Sequence, residues 1–195
     1  MISGENLFTV VLPAGGLGLR MGGQIPKQLL PLKGKPVYRH SLDTFLSLKE
    51  ISEVVLAVPQ DWKEHFENDI LNAGISTEWK NKLKIVVGGK ERWQSVRNGV
   101  HALTSSARYV LVHDVARPFI SKELLTQIFE TLVSKGSCIV AKECADTVKV
   151  VTNGKIEKTL DKIFTDYETG GIYTPNEFVQ RKTKHNNRLE QIDKQ

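Results

Sequence analysis

Cysteine is nearly absent from the chain: Cys138 and Cys144 are the only two in 195 residues. They form neither a CxxC pair nor a framework. That argues against a disulfide-stapled extracellular scaffold, and a reducing, cytoplasmic setting is the expectation. Long apolar runs are also missing, since no stretch approaches the roughly 20 residues a membrane-crossing helix needs. The N-terminal stretch MISGENLFTVVLP places no basic segment ahead of its one short apolar run, so a signal peptide is not expected and a soluble protein is. Arg/Lys-dense helices and RNP-type aromatic strands are lacking as well, so the formal charge of +5 is not read as nucleic-acid binding. Residues 161–195 hold six Lys/Arg against six Asp/Glu, which leaves the whole excess in residues 1–160. A basic folded body of that kind favours polyphosphate partners.

A chain of this length, 40% hydrophobic, can bury one core without staples. Its first 145 residues alternate two patterns. Short, continuous, β-branched runs at Leu7–Leu12, Val54–Val58, Leu83–Val87, Tyr109–Val112 and Cys138–Ala141 predict parallel strands covered on both faces. Helical patterns fall between them near Val37–Leu48, Trp62–Leu71, Trp93–Leu103 and Lys122–Val133, the last with Ser121 as N-cap and Gly136 as its stop. Such alternation predicts right-handed βαβ units and an α/β fold, Rossmann-like, with a mostly parallel twisted sheet. Thr147–Thr152 and Lys155–Thr159 then read as a hairpin turning at Asn153-Gly154. The hairpin, about residues 142–160, is a candidate dimerisation arm projecting from the sheet; the spacing equally allows one packed on its own sheet edge. The expected domain is therefore 1–162. Residues 163–195 read as a divergent polar tail, partly disordered, because only nine of residues 161–195 are hydrophobic and no period is clear.

The first strand runs into Pro13-Ala14-Gly15-Gly16-Leu17-Gly18-Leu19-Arg20-Met21-Gly22-Gly23, followed by Pro26-Lys27-Gln28. Ligands of open α/β sheets bind at the carboxyl ends of strands. Glycines there let backbone N–H groups approach phosphate oxygens, and Arg20 and Lys27 add fixed positive charge. Two familiar glycine loops do not fit. No Lys-Ser or Lys-Thr follows the glycines as a P-loop requires. A dinucleotide fingerprint would need a glycine where Met21 stands, and Asp61 is too distant to serve as its acid. A glycine loop without a ligand is the remaining reading from composition alone.

The stretch PAGGLGLRM…PKQ resembles the signature of nucleotidyltransferases that activate sugar phosphates. Its Pro-Lys-Gln ending is similar to the 2-C-methyl-D-erythritol 4-phosphate cytidylyltransferase family. Two further segments share the resemblance: Gly88-Gly89-Lys90-Glu91-Arg92-Trp93-Gln94-Ser95-Val96 after the third strand and His113-Asp114-Val115-Ala116-Arg117 after the fourth. The resemblance implies that Ala14, Gly15, Gly16, Gly18, Gly89, Ser95 and Asp114 bind CTP, with Arg20 and Lys27 catalytic. It further implies that Ala116, Arg117, Thr147 and Lys162 face a small sugar- or polyol-phosphate, the last two from the partner subunit of a homodimer. Lys162 stands where the family has Arg, keeping the charge and losing the bidentate fork. His113 is a candidate base, although a lone histidine at a strand end reads more naturally as structural. Mg²⁺ is the implied cofactor, held mainly by CTP phosphates with no direct protein ligand. The motif match breaks after Lys162, where the family continues into further phosphate-binding segments. Alongside methylerythritol phosphate transfer, ribitol 5-phosphate as acceptor and a truncated nucleotide-binding homologue with little turnover therefore stand as alternatives.

Overall fold

A computed structural model describes residues 7–15 and 25–141 in full, and the backbone of strands at 142–143, 148–152, 155–160, 164–165 and 172–173. It divides into two compact units, Met1–Ser121 and Lys122–Gln195.

The first unit is built on β1 (Phe8–Pro13), whose six side chains are all buried. A strand sequestered along its whole length is covered on both faces, which is why its sequence is a continuous apolar run and not an alternating one. A tight hairpin follows, β2 (Pro31–Leu32) and β3 (Lys35–Pro36). Its turn residues Lys33 and Gly34 have φ of 48° and 85°, the left-handed pair that a two-residue type I′ connection demands. Helix α1 (Val37–Leu46) buries Tyr38, Leu42, Phe45 and Leu46, spaced at helical intervals along one face. Then come β4 (Ile51–Val58), α2 (Lys63–Asn72), α3 (Thr77–Lys82), β5 (Leu83–Val87), α4 (Arg92–His101) and β6 (Tyr109–Val112).

The four longer strands form one parallel sheet in the order β5-β4-β1-β6. The chain moves outward from β1 to β4 and β5, and then α4 carries it back so that β6 lies on the other side of β1. The order reverses at β1, and ligands of open α/β sheets bind at the carboxyl edge of such a reversal. Helix α4 packs on β1 with almost no clearance: a Cβ placed on Gly99 would lie 2.4 Å from Cγ1 of Val11. Tyr38 of α1 donates to Asp69 of α2 at 2.5 Å, tying those two helices together.

β4 starts three residues earlier than its apolar run predicts, because it accommodates a charge. Glu53 is buried, and its carboxylate accepts from the amides of Thr104 and Ser105 at 2.9 Å each and pairs with Lys84 at 2.6 Å. Burial pushes this carboxyl up, but the Lys84 and backbone hydrogen bonds outweigh it and hold it below the usual glutamate range.

In the second unit, α5 (Lys122–Lys135) buries Leu125, Ile128, Phe129 and Leu132, and it stops as predicted at Gly136, whose φ is 83° and whose amide donates to Leu132 at 2.8 Å. The strands here are β7 (Ile139–Val140), β8 (Lys142–Glu143), β9 (Val148–Thr152), β10 (Lys155–Leu160), β11 (Phe164–Thr165) and β12 (Ile172–Tyr173). The run Cys138–Ala141, expected as a fifth parallel strand, is a two-residue strand paired antiparallel with Ile172–Tyr173. Only two β-branched residues sit between Cys138 and Ala141, too few to specify a long ladder by themselves. The expected hairpin is present as the antiparallel pair β9-β10; its Asn153-Gly154 turn lies outside the described residues. No helix among the described residues is long and apolar enough to cross a membrane.

Glu53 generates a stability prediction. Because its folded carboxyl titrates below its unfolded value, its stabilisation is complete above the ordinary glutamate range and fades as pH falls through the folded pKa. Glu53→Gln, measured by urea unfolding, should cost about 1–3 kcal/mol at neutral pH. It should also flatten the acid limb of the stability profile from the ordinary glutamate range downward. An unchanged acid limb would remove Glu53 from the account.

Candidate active site

Of the loops that leave the carboxyl edge of the parallel sheet within the first unit, the three after β1, β5 and β6 hold or lead into the expected site residues. The first begins at Ala14, whose amide continues the ladder by donating to Ala57 of β4 at 2.7 Å. The chain comes back to the described residues at Ile25 and turns through a 3-10 helix, Lys27–Leu29. There the buried side chain of Gln28 donates through Nε2 to the carbonyl of Ala14 at 2.9 Å. The two ends of the glycine-rich loop are therefore joined at its base, and the half-buried Lys27 is held one residue from that junction.

The second loop is built around one hydroxyl. Gly88 donates to Val58 of β4 at 2.7 Å, and Gly89 donates to Oγ of Ser95 at 3.0 Å. Ser95, on the first turn of α4, is 1% exposed. A Cβ on Gly15 would lie 2.8 Å from that Oγ, and one on Gly88 would lie 2.7 Å from it. At Gly89 a Cβ would fall 2.2 Å from the Cβ of Gln94. Real Cβ atoms do not approach so closely, so all three positions exclude a side chain. Gln94 also caps its own helix, its Oε1 accepting from the amide of Glu91 at 2.9 Å.

The third loop follows β6. His113 donates its amide to Val11 at 3.0 Å, extending the ladder beyond the strand. Its Nε2 lies 3.0 Å from the Arg117 carbonyl and 3.2 Å from Oγ of Ser41, and Ser41 donates to the same carbonyl at 3.0 Å. Burial lowers the imidazole pKa more than the bond to the Arg117 carbonyl and the Asp114 charge raise it. A ring kept neutral and bonded to a turn carbonyl organises that turn, the structural role expected of it. Within the turn, Asp114 reaches outward: its Oδ1 pairs with Nε of Arg92 at 2.8 Å and its Oδ2 with Nη2 of Arg117 at 3.5 Å. Ala116 is exposed beside them.

Of the residues expected from sequence to form the site, Ala14, Gly15, Lys27, Gly89, Ser95, Asp114, Ala116 and Arg117 are described; Ser95 lies on the first turn of α4 and the others on these three loops. Gly15 meets Ser95 and Gly89 directly, whereas Asp114 is joined to α4 through Arg92. Gly16, Gly18, Arg20, Thr147 and Lys162 lie outside the described residues. Two participants were not expected. In the sequence Gln28 stands out only as part of a signature, and Arg92 only as part of a glycine-containing stretch. A basic residue opening the helix after Gly88-Gly89 was the available signal for Arg92. For Gln28 no local signal exists, since its partner is 14 residues away.

A glycine-rich loop after the first strand of a parallel sheet, with two more polar loops at the same edge, places amides and charges where open α/β sheets bind ligands. The family model described as 2-C-methyl-D-erythritol 4-phosphate cytidylyltransferase matches residues 8–187, past Lys162, where the discrete motifs end. The chloroplastic 2-C-methyl-D-erythritol 4-phosphate cytidylyltransferase of rice, Oryza sativa, is 38% identical over 174 residues, covering 88% of this chain and 57% of that protein. The enzyme of the same name from Alkaliphilus metalliredigens is 41% identical over 150 residues, covering 76% and 60% respectively. The crystal structure of the Francisella tularensis enzyme superposes with a TM-score of 0.63 at 27% identity, covering 86% of this chain and 70% of that one. The chain belongs to the 2-C-methyl-D-erythritol 4-phosphate cytidylyltransferase family. It spans about three fifths of the length of the two curated relatives named above.

The zero-clearance contact between Gly15 and Ser95 is open to test. Gly15→Ala should destabilise the protein by about 1–3 kcal/mol, the usual cost of overpacking. Adding Ser95→Ala should recover part of that loss, because the nearest remaining Ser95 atom to the new methyl is Cβ at 3.9 Å. Additive losses in the double variant, measured by denaturant unfolding, would show that the two positions do not meet.

Proposed function

We propose that this chain transfers CMP from CTP to 2-C-methyl-D-erythritol 4-phosphate and releases pyrophosphate. The observation that carries the reading is the meeting of the Lys27 turn, Gly15 and the Gly89–Ser95 knot at the carboxyl edge of the sheet in a chain of this family. The rice and Alkaliphilus relatives are named for this activity.

The acceptor needs no protein base. The second pKa of a phosphate monoester is about 6, so the acceptor is mainly a dianion at neutral pH. Its oxygen attacks the α-phosphorus in line, a new P–O bond forms, and the bond to the bridging oxygen breaks to expel pyrophosphate. The obstacle is repulsion between two polyanions, which preorganised cations and amides relieve. Arg20 and Lys27 supply the cations, and the Gly15, Gly16 and Gly18 backbone supplies the amides, while Ala14, whose own amide donates to Ala57, sets where that loop begins. Gly89 and Ser95 shape the seat for base and ribose, and Asp114 borders the ribose. Ala116 and Arg117 meet the acceptor, with Thr147 and Lys162 of a second copy gripping its phosphate in a homodimer.

Mg²⁺ fits this arrangement as a cation carried by the nucleotide. The carboxylate that the family motif places at the edge, Asp114, already lies between two guanidinium groups, so it suits the orienting of ion-bound water better than direct ligation. When bound, the ion neutralises charge on the triphosphate oxygens.

Lys27→Ala should lower the rate of pyrophosphate release by about 10²–10³ with the fold intact. A loss of less than about tenfold would remove Lys27 from catalysis. In the same assay, a panel of methylerythritol phosphate and ribitol 5-phosphate should show turnover with the first. Preference for ribitol 5-phosphate would change the substrate, and CTP binding without turnover on either would leave a nucleotide-binding homologue. Light scattering at micromolar concentration should give twice the chain mass of 21.9 kDa; a single mass would remove the second copy from the site.

A further inference from the structure

Gln28 is only 3% exposed, although it sits on a three-residue 3-10 turn between the half-buried Lys27 and an exposed Leu30. Burying a side-chain amide is costly unless it is hydrogen-bonded. Here its Nε2 donates to a backbone carbonyl, that of Ala14 at 2.9 Å. Ala14 is itself fixed, through its amide, to Ala57 of β4 at 2.7 Å. A continuous path of hydrogen bonds therefore runs from the middle of the parallel sheet, through Ala14, to the residue next to Lys27.

The turn has little rigidity of its own. It is closed by Leu29 donating to Pro26 at 2.9 Å and Leu30 donating to Lys27 at 3.2 Å, and its downstream end is held by Val37 donating to Leu30 at 3.0 Å. Short 3-10 turns have poor hydrogen-bond geometry and depend on their surroundings. The downstream bond leads to α1, whereas the Gln28 bond leads to the end of β1, where the nucleotide site is proposed. A lysine side chain is long and flexible, so where its ammonium can act is set by where its backbone is anchored.

We propose that Gln28 is a positioning residue of the transfer reaction, fixing the Lys27 turn to the carboxyl edge of the sheet through the Ala14 carbonyl. The proposal rests on the reading of Lys27 given above. Methionine has a similar reach without the donor, so Gln28→Met is the informative change. Misplacing a catalytic group by about 1 Å can cost on the order of 10²-fold, so kcat for pyrophosphate release should fall about 10- to 100-fold. KM for CTP should stay within about threefold, because the group lost acts in the transition state.

A purely structural role would lower activity in any background. A positioning role acts through Lys27, so adding Gln28→Met to Lys27→Ala should lower kcat by no more than about twofold further. Hydrogen exchange gives a readout independent of activity. The Leu29 and Leu30 amides should exchange faster in Gln28→Met, while those of Val54, Val55 and Leu56 in β4 stay unchanged. Equal kcat losses with and without Lys27, or a Gln28→Met kcat within about twofold of the parent, would overturn the proposal. So would unchanged exchange at Leu29 and Leu30. A parent protein that releases no pyrophosphate would overturn the transferase reading, and the exchange result alone would then decide whether Gln28 anchors the turn.

Discussion

One buried hydroxyl sets the geometry of the candidate site. Oγ of Ser95 lies where the loop after β1, the loop after β5 and the first turn of α4 converge, and it leaves no room for a side chain at Gly15 or Gly88. The rest of the first unit serves that convergence. The parallel register places the ends of β1, β4 and β5 side by side. Gly99 lets α4 press onto Val11, which brings Ser95 down to the sheet edge. Without that close approach, the glycine loop and the segment proposed to hold the base would have no fixed separation.

Around this point the polar groups are bonded to one another before any ligand arrives. Ala14 is held on both sides of its peptide, by Ala57 and Gln28. The turn at Asp114–Arg117 is held by His113 and Ser41 from within the fold. Dipoles and charges fixed in this way cost nothing to reorganise when negative charge develops, which is the main source of rate in phosphoryl transfer. The buried Glu53–Lys84 pair, by contrast, is bonded to the loop after α4 near the start of β4. It serves the sheet rather than its carboxyl edge.

Much of the fold was legible because the central strands are buried on both faces and so read as unbroken apolar runs. β5 and β6 also begin and end where their apolar runs do, although they are not covered on both faces as expected: β5 is half-buried and β6 exposes Val110 and Val112. β4 was read short because Ser52 and Glu53 interrupt its run, and the partners that neutralise Glu53 lie about 30 and 50 residues away. Helix α3 has no apolar period to announce it, being short, polar and held by the Ser76 cap and the Glu78–Lys82 pair. The β2-β3 hairpin was hidden by two prolines and a lysine in a left-handed turn. At the site, the glycines announced themselves because close backbone approach tolerates nothing else. Gln28 and Arg92 did not, because their significance lies in partners that only the fold brings near.

The central claim is that this carboxyl edge is built for a nucleoside triphosphate. A crystal structure with CTP and Mg²⁺ tests it most directly. The triphosphate should lie against the Gly15 amide with the Lys27 ammonium within hydrogen-bonding distance, and cytosine against Gly89 and the start of α4. Nucleotide bound away from those three loops, or a phosphate chain that meets neither the Gly15 amide nor Lys27, would contradict it.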